Sequence, residues 1–277
     1  MEKQWTFDSE FTRGYTRVRQ DFTAELLDAL RKETEISSAL DVGCGVGYFS
    51  KFLSDMGLAV TAIDGREENT VEAKRRYPEV TFVTRNVEES ALSEIGTFDF
   101  VLCVGLLYHL ENPFRAIRNL HSVTGKLLLV ESMCIPGRAA GMALLDEDRA
   151  HDQGLNYVAF YPSEPCLIKM LHRAGFPFVY QFKHLPTDAQ FCTTVWRRRS
   201  RTFLAASLVP LTIGNLAIAT ERSYPVQGHS DHWSTHASRV RDFWKKHLVQ
   251  IRTLAARWVM PTLRNGSRHG RGNASER

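Results

Sequence analysis

The chain has 277 residues, 43% hydrophobic and 24% charged, ordinary values for a globular protein with a full core. Its five cysteines are odd in number and scattered, with no C-x-x-C pair, which argues against a disulfide framework or zinc site and for a reducing, cytoplasmic setting. The net charge of +4 is unevenly placed: Arg239 to Arg277 hold ten Lys/Arg against Asp242 and Glu276, so the body is mildly acidic and the tail basic.

The first residues, Met1 to Trp5, lack the apolar core of a signal peptide. Val18, Phe22, Leu26, Leu27 and Leu30 then recur with a helical rhythm. Ile36 to Val42 reads as a first strand, followed by a glycine turn and a helix over Phe49 to Met56 that Gly57 closes. Ala59 to Ile63 is a second strand ending at Asp64-Gly65, and a charged helix from Glu67 stops before Pro78. Further strands are expected at Val80–Val83, Phe98–Cys103 and Lys126–Glu131, with a helix from Asn112-Pro113 to Leu120. Short apolar strands alternating with helices mean βαβ units and a parallel sheet covered on both faces. Ser163, with Glu164 and Pro165, opens another helix that ends at Gly175. Phe178–His184 and Thr202–Val209 read as two last strands, and the lack of helical rhythm between them predicts an antiparallel pair. Phe203 to Thr220 is uncharged, but Pro210, Gly214 and Asn215 interrupt it, so a buried strand and turn fit better than a membrane span.

The segment from Ala39 to Tyr48 concentrates the functional signal: Asp41, then Gly43, Gly45 and Gly47 at alternate positions. Glycines let backbone approach a nucleotide-like ligand, but the spacing fits neither G-x-G-x-x-G nor a phosphate loop. The pattern D-x-G-x-G-x-G resembles motif I of the class I S-adenosylmethionine (SAM)-dependent methyltransferases. That resemblance implies an α/β, Rossmann-like, seven-stranded, mostly parallel sheet with helices on both faces, spanning a core of 36–209. It also implies cofactor contacts at the strand ends, where open sheets bind ligands. Gly43, Cys44, Gly45 and Gly47 would border the methionine part, and Asp41 would attract its ammonium group. Asp64 would accept from the ribose hydroxyls, Asn86 and Val87 would reach the adenine edge, and Cys103 closes the fourth strand beside them. Methyltransferases often carry aspartate where Asn86 stands.

The run from Val104 to Pro113, with Leu107-Tyr108-His109-Leu110, resembles the motif IV region of small-molecule and wobble-uridine tRNA methyltransferases. It implies His109 as general base, a structural hydrogen bond being the alternative, and Tyr108 as pocket wall. The Asn/Asp-Pro-Pro-Tyr motif of DNA and protein-glutamine N-methyltransferases is missing there. Met133 to Tyr161 is long enough for a lid and carries a second candidate base, His151, with Tyr157 and Tyr161 as substrate-pocket aromatics. Asp146-Glu147-Asp148 and His151-Asp152 suit a solvated face better than a divalent cation, so no metal is expected.

Three regions are expected: a methyltransferase domain over 1–221, an extension over 222–264 with a basic amphipathic helix, and a disordered basic tail over 265–277. The helix suits packing on the domain or in a homodimer better than contact with nucleic acid. The expected activity is O-methylation of a small hydroxylated or carboxylated metabolite. A wobble-uridine tRNA modifier and a non-catalytic scaffold binding a partner through the C-terminal helix are the alternatives.

Overall fold

The computed structural model describes residues 5–89, 92–147, 154–193 and 199–221. The chain starts with helix α1 (Glu10–Leu30), capped by Ser9, whose hydroxyl accepts from the Thr12 amide at 3.2 Å. Strand β1 (Ser38–Val42) leads through the glycine turn into α2 (Tyr48–Asp55). β2 (Ala59–Asp64), α3 (Glu67–Arg76) and β3 (Thr81–Thr84) follow. In α3 the first turn carries Glu67 and Glu68 and the last Lys74, Arg75 and Arg76, each end matched to the helix dipole. β4 (Phe98–Val104), α4 (Pro113–Val123, with proline in its first turn) and β5 (Thr124–Met133) complete the parallel half.

A two-stranded sheet, β6 (Met142–Asp146) with β7 (Val158–Pro162), then occupies the long connection where a lid was expected. Ser163 caps α5 (Glu164–Ala174), accepting from the Cys166 amide, and Gly175 ends it in the left-handed conformation. The chain closes with β8 (Phe178–Phe182), β9 (Arg201–Ser207) and β10 (Leu216–Ile218).

The main sheet runs β10-β8-β9-β5-β4-β1-β2-β3. β3, β2, β1, β4 and β5 are parallel, and β9 lies antiparallel between β5 and β8. The expected α/β, mostly parallel architecture is present, but the sheet has eight strands rather than seven. The added edge strand β10 is a three-residue piece after an irregular loop, too short to carry a period-two pattern. Phe203 to Thr220 is thus strand, loop and short strand, and among the described residues no helix is long and apolar enough to cross a membrane.

Alternation along the strands splits the core into two layers. Leu40, Val42, Val101 and Cys103 face α4 and α5, with Ile117, Leu120, Leu167 and Leu171. Ala39, Phe100, Leu102 and Phe203 face the other side, with Phe22, Leu26 and Leu27 of α1 and Leu53 of α2. The segment before α1 is clamped down by Asp8, whose carboxylate takes both Arg76 guanidinium nitrogens at 2.8 Å and the Tyr48 hydroxyl at 2.6 Å. Arg76 holds the Asp8 carboxyl down at about 2. All five cysteines are free. The amphipathic helix and tail expected beyond residue 222 lie outside the described residues.

Candidate active site

A cleft of about 250 Å³ opens at the carboxyl ends of β1, β2 and β4. Gly43 and Cys44 of the glycine turn, Asp64 to Arg66, Asn86-Val87, Gly105-Leu106 and Tyr108 to Leu110 line it from the sheet side. Phe7, Tyr15 and Arg19 reach it from the N-terminal segment, and Gly154-Leu155 from the loop before β7.

Glycines of the turn hold positions where a side chain would be strained and crowded, as two of them show. Gly43 sits at φ +75°, and a Cβ there would come within 2.9 Å of the Leu106 side chain. Gly45, at φ +53°, would press on the Phe7 ring at the same distance. Positive φ already strains any residue with a Cβ, and here the space is closed as well. The turn is tied to the sheet by the Gly43 and Cys44 amides, which both donate to the Ile63 carbonyl.

Asp64 gathers the next layer. One carboxylate oxygen accepts from the Gly45 amide at 2.9 Å; the other accepts from the Arg66 amide at 2.8 Å and the Asn69 amide group at 3.1 Å. Burial raises its pKa. Beside it, Asn69 Oδ1 is, among the described residues, the one buried side-chain oxygen or nitrogen without a hydrogen-bond partner. A carboxylate with a free lone pair next to an orphaned acceptor suits a ligand that brings hydroxyl donors, as a ribose does. The residues present therefore fit an adenosyl cofactor.

Asn86 and Val87 line the same cleft, but Asn86 Oδ1 already accepts from the Glu88 amide at 3.0 Å. Its NH₂ group remains as donor, so an adenine ring nitrogen is the partner it suits.

Four expected contacts are not among the cleft-lining residues: Gly45 and Gly47, which pack on Phe7 and Tyr77, and also Asp41 and Cys103. Asp41 is 3% exposed and points to α2, where its carboxylate accepts from the Ser50 hydroxyl at 2.6 Å. Cys103 is fully buried on the opposite face of the sheet, among the α4 and α5 side chains. Strand alternation decides both: neighbouring positions point to opposite faces, whatever their nearness in sequence to the turn. Cys44 does line the cleft, and burial pushes its thiol well up, so it is a neutral wall.

Burial also pushes the Asp41 carboxyl up to about 7, against the lowering effect of Ser50. A raised carboxyl favours its neutral form, so the folded state binds the proton longer than the unfolded one. Stability contributed by protonated Asp41 is lost as pH rises from about 4 to about 7, and stays lost above that. Asp41→Asn keeps a neutral group at all pH values. Its unfolding free energy, measured by urea titration, is expected to gain on the wild type between these limits and to run parallel beyond them. A constant difference across the range would contradict this.

The motif IV segment shows what the sequence alone did not pair. His109 ends a short 3-10 turn (Leu107–His109) and lines the cleft. Its Nδ1–H donates to Glu147 Oε1, and Glu147 Oε2 accepts from the Gly154 amide at 3.1 Å. Both side chains are about nine-tenths shielded from water. Glu147 fixes the tautomer and leaves Nε2 as the free, basic nitrogen. The sequence had offered Glu147 only as a metal ligand or solvated face, because the 38-residue separation hides the pairing. Tyr108, beside His109, lines the cleft as a wall, and its ring meets Tyr161 edge to face at 5.6 Å. Neither Tyr161 nor Tyr157 is among the cleft-lining residues; Tyr157 is exposed and adopts φ 56°. His151 lies outside the described residues, and among those described no group of three or more His, Cys, Asp and Glu is placed to hold a metal ion.

A second polar cluster was not anticipated at all. Glu131, at the end of β5 and fully buried, accepts from Arg201 at 2.9 Å, from Arg19 at 3.4 Å and from the Tyr15 hydroxyl at 3.4 Å. Arg201 also donates to the Tyr108 hydroxyl at 3.1 Å. One signal was available: a carboxylate closing an apolar strand needs a buried cation partner.

Residues 40–126 match the family model described as a methyltransferase domain. A ubiquinone biosynthesis O-methyltransferase of Rickettsia conorii is 32% identical over 121 residues, covering 39% of this chain and 42% of that protein. The enzyme of the same name from Xanthomonas oryzae pv. oryzae is 34% identical over 119 residues, covering 40% and 48%. The match thus spans less than half the length of these curated relatives. Among solved structures, the N-terminal domain of EvdMO1 with SAH bound superposes with a TM-score of 0.53 at 20% identity, over 68% of this chain and 80% of that domain. The fold, with its antiparallel β9 between β5 and β8, is that of the class I SAM-dependent methyltransferases.

Proposed function

We propose that this chain, a class I SAM-dependent methyltransferase by its motif block at residues 40–126 and by its sheet, transfers a methyl group to an oxygen of a small acceptor. The observation that carries the reading is His109, paired with Glu147, on the same cleft as Gly43, Cys44 and Asp64. SAM supplies an electrophilic methyl group when bound. Gly43 and Cys44 would lie along its methionine part, Asp64 and Asn69 would hold its ribose, and Asn86 with Val87 would border its adenine.

The chain's own contribution is to position the acceptor and remove its proton. Methyl transfer is a displacement whose barrier depends on alignment and, for a hydroxyl nucleophile, on a base. Nε2 of His109 takes the hydroxyl proton. Glu147, hydrogen-bonded at Nδ1, holds the ring in the right tautomer and stabilises the imidazolium that forms. The shielding of both groups keeps water from competing for the base. Leu155 covers the Asp64 side, close enough that a Cβ at Gly65 would come within 2.8 Å of it. Arg66 ties that loop down by donating to the Gly154 carbonyl at 2.5 Å.

The names of the relatives point the same way, since those proteins are O-methyltransferases of ubiquinone biosynthesis. The five free thiols suit a reducing compartment, and the cytoplasm is the setting we assign.

Cofactor binding tests the first half of the reading. Titration calorimetry with S-adenosylhomocysteine (SAH) should show one site, and Asp64→Ala should weaken it by about 1.5–3 kcal/mol, the worth of hydrogen bonds to a charged group. Equal affinity in the two proteins would remove Asp64 as the ribose partner, and no binding at all would sink the methyltransferase reading.

A further inference from the structure

We propose that the Arg66 side chain is a positioning residue for the base: through Gly154 it holds Glu147 against His109. The loop that receives the ribose thereby also sets the histidine. The inference deepens the methyltransferase reading and rests on it. It divides the work of one residue, the Arg66 backbone serving Asp64 and the Arg66 side chain serving the base.

The first ground is an unbroken run of hydrogen bonds. The Arg66 amide donates to Asp64 Oδ1 at 2.8 Å, and the Arg66 guanidinium donates to the Gly154 carbonyl at 2.5 Å. The Gly154 amide donates to Glu147 Oε2 at 3.1 Å, and Glu147 Oε1 accepts from His109 Nδ1–H. Arg66, Gly154 and His109 line the cleft, whereas Glu147 does not. Gly154 is fitted to its place: a Cβ there would run into Glu147 Oε2 and stand 3.2 Å from the His109 carbonyl. The Arg66 ion pair with Glu68 is long by comparison, 3.8 Å to a half-exposed carboxylate, and such pairs contribute little.

The second ground is where Glu147 sits. It directly follows β6, and its amide donates to the Tyr157 carbonyl beside β7 at 3.0 Å. A two-stranded sheet is marginal by itself, and this one exposes Met142, Leu144 and Leu145. One end is fastened at Ser163, the cap of α5: its hydroxyl accepts from the Gly141 amide at 3.1 Å, and its amide donates to the Gly141 carbonyl at 2.8 Å. The other end, at Asp146 and Val158, lies roughly 16 Å further along the strands. There Arg66 reaches Gly154, and Leu155 lies against Gly65. Without the Arg66 tie, the carboxylate that fixes the His109 tautomer rides on the end remote from Ser163.

Two measurements on the full chain test this. Arg66→Met keeps a long stem and the backbone bond to Asp64 but removes the guanidinium donors. Arg66→Lys keeps a donor, and a single carbonyl needs no more. In the SAH-loaded protein, the His109 Nδ1–H resonance is identified by proton NMR through its loss in His109→Gln, and its exchange with water is followed. Initial rates of label transfer from saturating methyl-labelled SAM are then measured over a dilution series of the low-molecular-mass fraction of a cell extract.

In Arg66→Met the Nδ1 proton should exchange at least about fivefold faster and the maximal rate should fall at least about fivefold, the low end of coupling between linked sites. SAH affinity and the half-saturating dilution should stay within about twofold, and Arg66→Lys should stay within about twofold of the wild type throughout. In a Glu147→Gln background, Arg66→Met should add less than about a twofold effect, because both changes act through one contact. Label transferred equally by the wild type and Arg66→Met, a Nδ1 proton unchanged between them, or a full Arg66→Met loss in the Glu147→Gln background would overturn the positioning role alone. A loss confined to SAH affinity would also overturn it and make Arg66 a cofactor contact. No label transferred by the wild type would fail the methyltransferase reading and the positioning role with it.

Discussion

His109→Ala is expected to lower methyl transfer by about 10²-fold or more while leaving SAH affinity nearly unchanged, because a positioned general base contributes on that scale. The expectation rests on geometry. His109 lines the cleft, its Nδ1–H is committed to Glu147, and Nε2 is the nitrogen left to accept a proton. Glu147→Gln tests the second half of the pair. It keeps size and one hydrogen-bonding group but loses the charge that stabilises an imidazolium, so kcat should fall by less than in His109→Ala, with KM unchanged. Initial rates across acceptor concentrations separate the two parameters. Unchanged turnover in His109→Ala would remove it as base and leave alignment as the whole of the catalysis.

The largest effect on stability is expected at Glu131. Removing one partner of a buried ion cluster strands the others, at a typical cost of 3–5 kcal/mol. Glu131→Gln keeps the shape of the side chain but leaves Arg19 and Arg201 without a counter-ion in a site almost closed to water. The loss should appear in urea unfolding as a lower midpoint with an unchanged slope. Exposed pairs such as Lys51–Asp55 contribute little in water, so Asp55→Asn serves as the contrast. A loss below about 1 kcal/mol at Glu131 would mean that water already screens the cluster.

Much of the fold was legible because its signals are local. The strands at Ser38–Val42 and Phe98–Val104 are apolar runs of the right length, and Ser163 and Gly175 mark the two ends of α5 by known capping chemistry. The β6–β7 pair was not legible, since in Met142–Asp146 every residue but Ala143 is exposed and no alternation between a wet and a dry face results. The site divides in the same way. Gly43 and Asp64 are bound to their strand ends by the chain itself, so reading the strands places them. Asp41 and Cys103 also sit at strand ends, but they point into the two core layers rather than to the cleft. The pairs that matter most, His109 with Glu147 and Glu131 with Arg19 and Arg201, join residues 38, 112 and 70 positions apart. No periodicity carries information across such distances; only the folded sheet brings them together.

The central claim is transfer of a methyl group from SAM to a small acceptor, and following the label tests it most directly. The full chain is incubated with methyl-labelled SAM and a fractionated cell extract, with and without RNase, beside His109→Ala. Label should enter low-molecular-mass material, unaffected by RNase and reduced at least about 10²-fold in the variant. Label found only in RNase-sensitive material, or SAM binding with no label transferred to any fraction, would contradict the account.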